Sequence, residues 1–193
     1  MIAIGVVGRK RAGKSIVVDI LREQGFEIRA TREAVREYIL EDSSRGLPDD
    51  TLNQQYWGNQ ARIDNGGDIW MPRLLLKPII GDAVFDSPRY PDQDEILRKH
   101  FGKKYMLLAV DAKTELRYTR YMADKRAGDI LDLKGFNEID ALDWNGYKVG
   151  KGQNVEGCFA LADIIIDNNG TLEDFRRTIL EVAESQRSKN DKD

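Results

Sequence analysis

Eight consecutive residues, Gly8, Arg9, Lys10, Arg11, Ala12, Gly13, Lys14 and Ser15, fill every fixed position of the pattern G-x-x-x-x-G-K-[ST]. Each fixed residue has a task in holding a polyphosphate. The glycines let the backbone wrap an anion and aim N–H groups at it. Lys14 reaches the β- and γ-phosphates of a nucleoside triphosphate, and the Ser15 hydroxyl ligates Mg2+. Ser15 and Ile16 open the following helix, whose N-terminal dipole favours negative charge. The loop carries three further cations at its variable positions, Arg9, Lys10 and Arg11. They either point into solvent or add contacts to phosphate.

A phosphate cradle gives binding and not yet a reaction, so other groups are needed. Asp86 ends the apolar run Ala83-Val84-Phe85. A carboxylate there supports Mg2+ in P-loop proteins, or else caps the turn at Ser87-Pro88. Arg89 follows three residues later and meets either a phosphate or solvent. Arg117 and Arg120 are three apart and share a helix face, with Lys125 and Arg126 at its exit. Such a group either surrounds a moving phosphoryl with positive charge or forms a solvated basic face. On the acceptor side stand Arg32 and Arg36, four apart after the second strand, with Glu33 placed to orient or deprotonate a hydroxyl. Asn59 and Arg62 form a further polar pair. An ordinary mixed-charge helix surface accounts for these residues equally well.

The elements that position these groups follow from periodicity. Short apolar runs at 2–7, 26–30, 82–86, 105–110 and 163–167 read as strands rich in Ile and Val. Amphipathic stretches at 14–24, 31–41, 52–65, 68–78, 93–101, 113–124, 153–161 and 171–185 read as helices. Thr31 is placed to cap the second helix, and Gly25 ends the first. The polar, glycine-dotted stretch 125–150 has the composition of a mobile lid, with some helix inside it. The tail 186–193 is charged and expected to fray. Strands alternating with helices imply α/β architecture, a parallel sheet covered on both faces.

Composition bounds the rest. A chain of 193 residues with a net charge of −3 reads as one domain. The mild acidity argues against nucleic acid as the main partner. No apolar run approaches the ~20 residues needed to span a membrane. A single cysteine, Cys158, builds no disulfide framework and reads as a packed apolar residue, which points to a cytoplasmic setting. His100 reads as a solvated residue near a helix end. Oligomeric state is not legible.

Taken together, these residues resemble the nucleotide-kinase group of P-loop proteins, and in particular dephospho-CoA kinase and related small, mostly archaeal, predicted nucleotide kinases. The resemblance is carried by Gly8–Ser15, by Val84-Phe85-Asp86-Ser87-Pro88-Arg89 with Glu95-Ile96-Leu97-Arg98-Lys99-His100-Phe101-Gly102, and by Ala162-Asp163-Ile164-Ile165-Ile166-Asp167-Asn168-Asn169-Gly170-Thr171-Leu172-Glu173. It implies a three-layer P-loop NTPase fold, a five-stranded parallel sheet ordered 2-3-1-4-5, an NMP-binding flap at about 31–80 and a lid at about 125–150. It implies ATP with Mg2+ as donor and a nucleotide or nucleotide-like acceptor, dephospho-CoA or a nucleoside monophosphate. Lys14 and Ser15 take the phosphate and metal roles, Asp86 the acidic strand-end role, and Arg117, Arg120 and Arg126 the place of lid arginines. Arg36 takes the place of the arginine after strand two, and Asn168 lies near the adenine. The chain departs from dephospho-CoA kinases where Ala30-Thr31-Arg32-Glu33 stands in place of Asp-x-Asp, and in its basic P-loop. A regulator that binds or hydrolyses a triphosphate without a small acceptor is the competing reading. A GTPase switch is disfavoured, because Asn190-Asp191-Lys192-Asp193 has the wrong order and place for the base-reading Asn-Lys-x-Asp motif.

Overall fold

The computed structural model describes residues 1–48, 51–124, 132–146 and 153–190. Its centre is a five-stranded parallel sheet: β1 (Ala3–Gly8), β2 (Glu27–Ala30), β3 (Ala83–Asp86), β4 (Tyr105–Asp111) and β5 (Ile164–Asp167), in the order β2-β3-β1-β4-β5. The expected sheet and its order are therefore present. Around it lie α1 (Lys14–Glu23), α2 (Thr31–Leu40), α3 (Thr51–Asp64), α4 (Trp70–Leu75), α5 (Pro91–Phe101), α6 (Thr114–Ala123), α7 (Leu133–Asn145), α8 (Val155–Ala160) and α9 (Leu172–Asn190).

Alternation along β1 divides the interior into two cores. Ile2, Ile4 and Val6 point to one face, where they meet Val17, Leu21 and Phe26 with Phe175 and Ile179. Ala3 and Val7 point to the other, against Ile39, Trp70, Phe85, Leu97 and Leu107. Cys158 is buried in this second core, and burial pushes its thiol up to about 12, in keeping with a packing role.

Parallel register brings the carboxyl ends of the strands together. Val6 pairs with Asp86, Gly8 with Val110, and Asp111 with Asp167. The loop after β1, the turn after β3 and the Asn168 turn after β5 thus share one edge, where open α/β sheets bind ligands.

Several local expectations change. Thr31 does not cap α2: Ala30 occupies the cap position with no side-chain bond, and the Thr31 hydroxyl is buried without a partner. Residues 68–78 form a shorter helix, α4, with Pro72 in its first turn where no intrahelical donor is missed. The tail does not fray at 186. α9 runs to Asn190 because Arg187 Nε donates to Asp82 Oδ2 at 2.7 Å and its guanidinium lies over the Phe26 ring. Within 125–150, residues 132–146 hold helix α7, capped by the Asp132 carboxylate accepting from Gly135 N.

Candidate active site

The loop between β1 and α1 is shaped by three backbone conformations. Gly8 has φ 155° and packs so tightly that a Cβ there would lie 2.2 Å from the Val110 carbonyl oxygen. Gly13 has φ 119°, and a Cβ there would lie 2.4 Å from Asn168 Nδ2. Both positions exclude side chains. Arg11 adopts φ 61°, a left-handed conformation that costs a non-glycine residue about 1 kcal/mol or more. Its guanidinium is tied down, Nη1 to Asp124 Oδ2 and Nη2 to the Asp124 carbonyl at 2.9 Å.

The loop carbonyls are held from below. Asn168 Nδ2 donates to Ala12 O at 2.8 Å, and Arg120 Nη1 reaches Ala12 O at 3.3 Å while its Nη2 donates to Asn168 O at 2.8 Å. Arg117 is 1% exposed. It donates to Ala112 O, Lys10 O, Thr114 Oγ1 and, at 2.8 Å, to Asp140 Oδ1. Arg117 and Arg120 were expected beside a lid or a bound nucleotide; the structure places both as supports of the loop backbone, their donors directed to protein acceptors. Arg126, expected with them, lies outside the described residues.

The loop's extra cations take neither expected course for Arg9 and Arg11. Arg9 Nη1 donates to Asp140 Oδ2 at 2.6 Å and its guanidinium sits 4.0 Å from the centre of the Trp144 ring. Asp140, 4% exposed, also accepts from the Lys10 amide at 3.3 Å. Helix α7, from the stretch expected to be a mobile lid, is thereby seated on the P-loop. These carboxylates were missed in the sequence, although Phe136, Asp140, Asp143 and Trp144 recur at the three- and four-residue spacing of one helical stripe.

Lys14 Nζ donates to the carbonyls of Gly8 at 2.8 Å and Arg9 at 2.9 Å, which aims the ammonium along the loop. It lines a cleft of about 50 Å³ with Val7, Gly8, Lys10, Ser87, Pro88, Arg89, Asp143, Gln153 and Val155. Burial, and then the Arg89 guanidinium, bring Lys14 down from its usual value to about 8, while Asp143, Asp86 and Asp140 pull the other way. Arg89 itself is fixed through its backbone: its N–H donates to Gln93 Oε1 at 2.7 Å and its carbonyl accepts from Asn154 N at 3.0 Å. No side chain caps α1 and no acidic residue lies in its first turn, so the amides there are left to an anion. That N-terminus, with Lys14 and Arg89, suits a polyphosphate.

Asp86 stands beside the loop in register with Val6, and its Oδ1 accepts from Ser87 Oγ at 2.8 Å. Among the described residues no three His, Cys, Asp or Glu side chains gather as metal ligands. Ser15 and Asp86 are the protein oxygens that would be available to a divalent ion arriving with phosphate oxygens. Such an ion would supply charge neutralisation.

The expected acceptor residues divide. Glu33 does not line the P-loop cleft. With Glu37, Arg29, Arg73 and Lys77 it faces a second cleft, of about 180 Å³, against edge strand β2. The helical period forces this, since α2 starts at Thr31 and turns Ala34 and Val35 into the core. Arg32 and Arg36 are exposed on α2. Arg62 is engaged by two carboxylates, Asp68 at 2.9 Å and Asp92 at 2.8 Å, and stacks 3.8 Å from the Tyr90 ring centre. Tyr90 Oη donates to Asn59 Oδ1 at 3.4 Å. Arg62 and Asn59 thus tie α3 to the start of α5.

The chain superposes on TT1252 from Thermus thermophilus with a TM-score of 0.57 and 22% identity, covering 95% of this chain and 97% of that one. It superposes on shikimate kinase from Bacteroides thetaiotaomicron with a TM-score of 0.57 and 13% identity, covering 95% and 98%. A gluconokinase from Sinorhizobium meliloti gives 0.53 and 15%, covering 97% of each chain. The fold is that of the P-loop kinases. No protein-family model matches the chain. In sequence it is 29% identical over 186 residues to the UPF0200 protein of Methanosarcina barkeri, covering 93% of this chain and 92% of the relative. It is 28% identical over 185 residues to the UPF0200 protein of Pyrococcus horikoshii, covering 92% and 94%. The likeness to dephospho-CoA kinase rests on the sequence motifs alone. Among the described residues no helix is long and apolar enough to cross a membrane.

Proposed function

We propose that this P-loop protein is a phosphotransferase that moves the γ-phosphoryl group of Mg·ATP to a small nucleotide or nucleotide-like acceptor. The observation that carries this reading is the cationic cleft that Lys14 and Arg89 both line, at the end of α1 that no side chain caps. A phosphoryl group in transfer spreads negative charge over its oxygens, and fixed cations in a cleft stabilise that charge without reorganising. Lys14 and the loop amides hold the triphosphate. Ser15 and Asp86 add protein oxygens to its Mg2+. Arg89, lining the same cleft, neutralises the moving group or the acceptor's own anion. In this reading the chain works as one domain, with α2, α3 and α4 in the acceptor flap at 31–80 and α7 in the lid at 125–150. The shikimate kinase and gluconokinase folds support a small-molecule acceptor, and the dephospho-CoA kinase motifs support a nucleotide-like one.

The test is calorimetric binding of Mg·ATP, followed by ADP release with dephospho-CoA and with ribo- and deoxynucleoside monophosphates. Tight binding that Lys14→Ala abolishes, with ADP release stimulated by one acceptor, is the expected result. Binding without any stimulated release shifts the reading to a triphosphate-binding regulator.

A further inference from the structure

Among the described residues Asp143 is the one carboxylate lining the P-loop cleft, where the lining also includes Lys10, Lys14 and Arg89. Its place is unusual in two respects. It comes from α7, a helix locked onto the loop one turn earlier by Asp140, which binds Arg9 and Arg117. It is also half-buried with no hydrogen bond or ion pair among the described residues, whereas neighbouring Asp140 accepts from three donors. A carboxylate lining a phosphate site works against the phosphate unless it meets a metal ion or a proton donor there, and in the reading above the metal role falls to Asp86 at the end of β3. The rest of the lining, which includes Ser87, Pro88, Gln153 and Val155, brings no other acid. Glu33, the other proton acceptor the sequence offers, faces the separate cleft beside β2.

We infer that Asp143 is the proton acceptor for the attacking group, and that this group is a hydroxyl and not a phosphate oxygen. The inference rests on the phosphotransferase reading and narrows its acceptor. A nucleoside monophosphate presents a dianion with no proton to give up, and Asp143 would repel it. A hydroxyl compound donates its O–H to Asp143. As the acceptor oxygen bonds to the γ-phosphorus, the bond from that phosphorus to the bridging oxygen breaks, and the hydroxyl proton passes to the Asp143 carboxylate. The products are a phosphate ester, ADP and a protonated Asp143, which returns its proton to water. An anionic group elsewhere on the acceptor pairs with Arg89, so the substrate class is a small anionic hydroxy compound.

The experiment uses the full chain and γ-labelled Mg·ATP with two panels: the hydroxyl acceptors dephospho-CoA, shikimate and gluconate, and the nucleoside monophosphates AMP, CMP, GMP and UMP. Water-driven ADP release is followed in parallel, since water also surrenders a proton. Transfer to a hydroxyl acceptor is expected to fall about 100-fold or more in kcat in Asp143→Asn. The dissociation constant for Mg·ATP should stay within threefold of wild type, and Asp143→Glu should recover part of the rate. Transfer to a monophosphate, an Asp143→Asn kcat within threefold of wild type, or Mg·ATP binding with no ADP release beyond the water-driven rate overturns the inference. Failure of wild type to bind Mg·ATP overturns the underlying phosphotransferase reading as well, so the two failures are distinguishable.

Discussion

Asp140 Oδ1 lies 2.8 Å from Arg117 Nη1, and the two side chains are only 5% and 2% exposed. The pair joins α7 to α6 beneath the phosphate loop, and Arg9 closes the other side of the carboxylate. Removing a carboxylate buried this deeply strands the guanidinium it pairs with.

Asp140→Ala is therefore expected to destabilise the fold by about 3 kcal/mol, because Arg117 is left buried without a counter-charge. Urea denaturation reads the loss directly. An unchanged midpoint would mean that α7 is held elsewhere, through Trp144 and Phe159, whose rings lie 5.3 Å apart.

Lys14 titrates from a folded value near 8 against an ordinary value of 10.5. The unfolded chain holds this proton more tightly, so the burial penalty is present in full below about pH 8 and is relieved as pH rises from there towards 10.5. Binding runs the other way, since a triphosphate needs the ammonium. Mg·ATP affinity is expected to weaken above pH 8, with proton uptake on binding near that pH. Calorimetry in buffers of different ionisation enthalpy measures the uptake, and Lys14→Arg should flatten the dependence.

Asn168 is 3% exposed and holds Ala12 O through Nδ2. Asn168→Ala leaves that carbonyl short of a donor and is expected to cost about 1–2 kcal/mol in stability. It should also weaken Mg·ATP binding, because the loop loses its rear support. Stability and affinity falling together identify a loop support. A fall in affinity alone would point instead to direct nucleotide contact.

Gly5 faces Tyr105. A Cβ at Gly5 would lie 2.3 Å from the Tyr105 hydroxyl, which is itself buried without a hydrogen-bond partner. Gly5→Ala is expected to destabilise by about 1–3 kcal/mol through overpacking. Tyr105→Phe, which removes an unsatisfied hydroxyl, should be near neutral alone and should recover part of the Gly5→Ala loss. Additive free energies in the double-mutant cycle would place the clash elsewhere.

Much of this protein was legible in local patterns. The phosphate loop is local because one segment carries the glycines, Lys14 and the helix start that form it. The strands were legible because runs such as Tyr105–Asp111 are apolar on both sides, as a covered parallel strand must be. Strand order came from a resemblance and not from periodicity, since register between distant strands leaves no local mark. The partners of the charged groups were not legible at all. Arg9, Arg62 and Arg117 look alike in sequence, yet one caps a loop, one ties two helices and one is buried below the phosphate site. Only the tertiary structure decides among such fates, because an ion pair depends on which carboxylate comes within about 3 Å. Asp140 reaches Arg9 across 131 residues of sequence through the packing of α7. The same packing brings Asp143 into the cleft, and the helical period of α2 leaves Glu33 outside it.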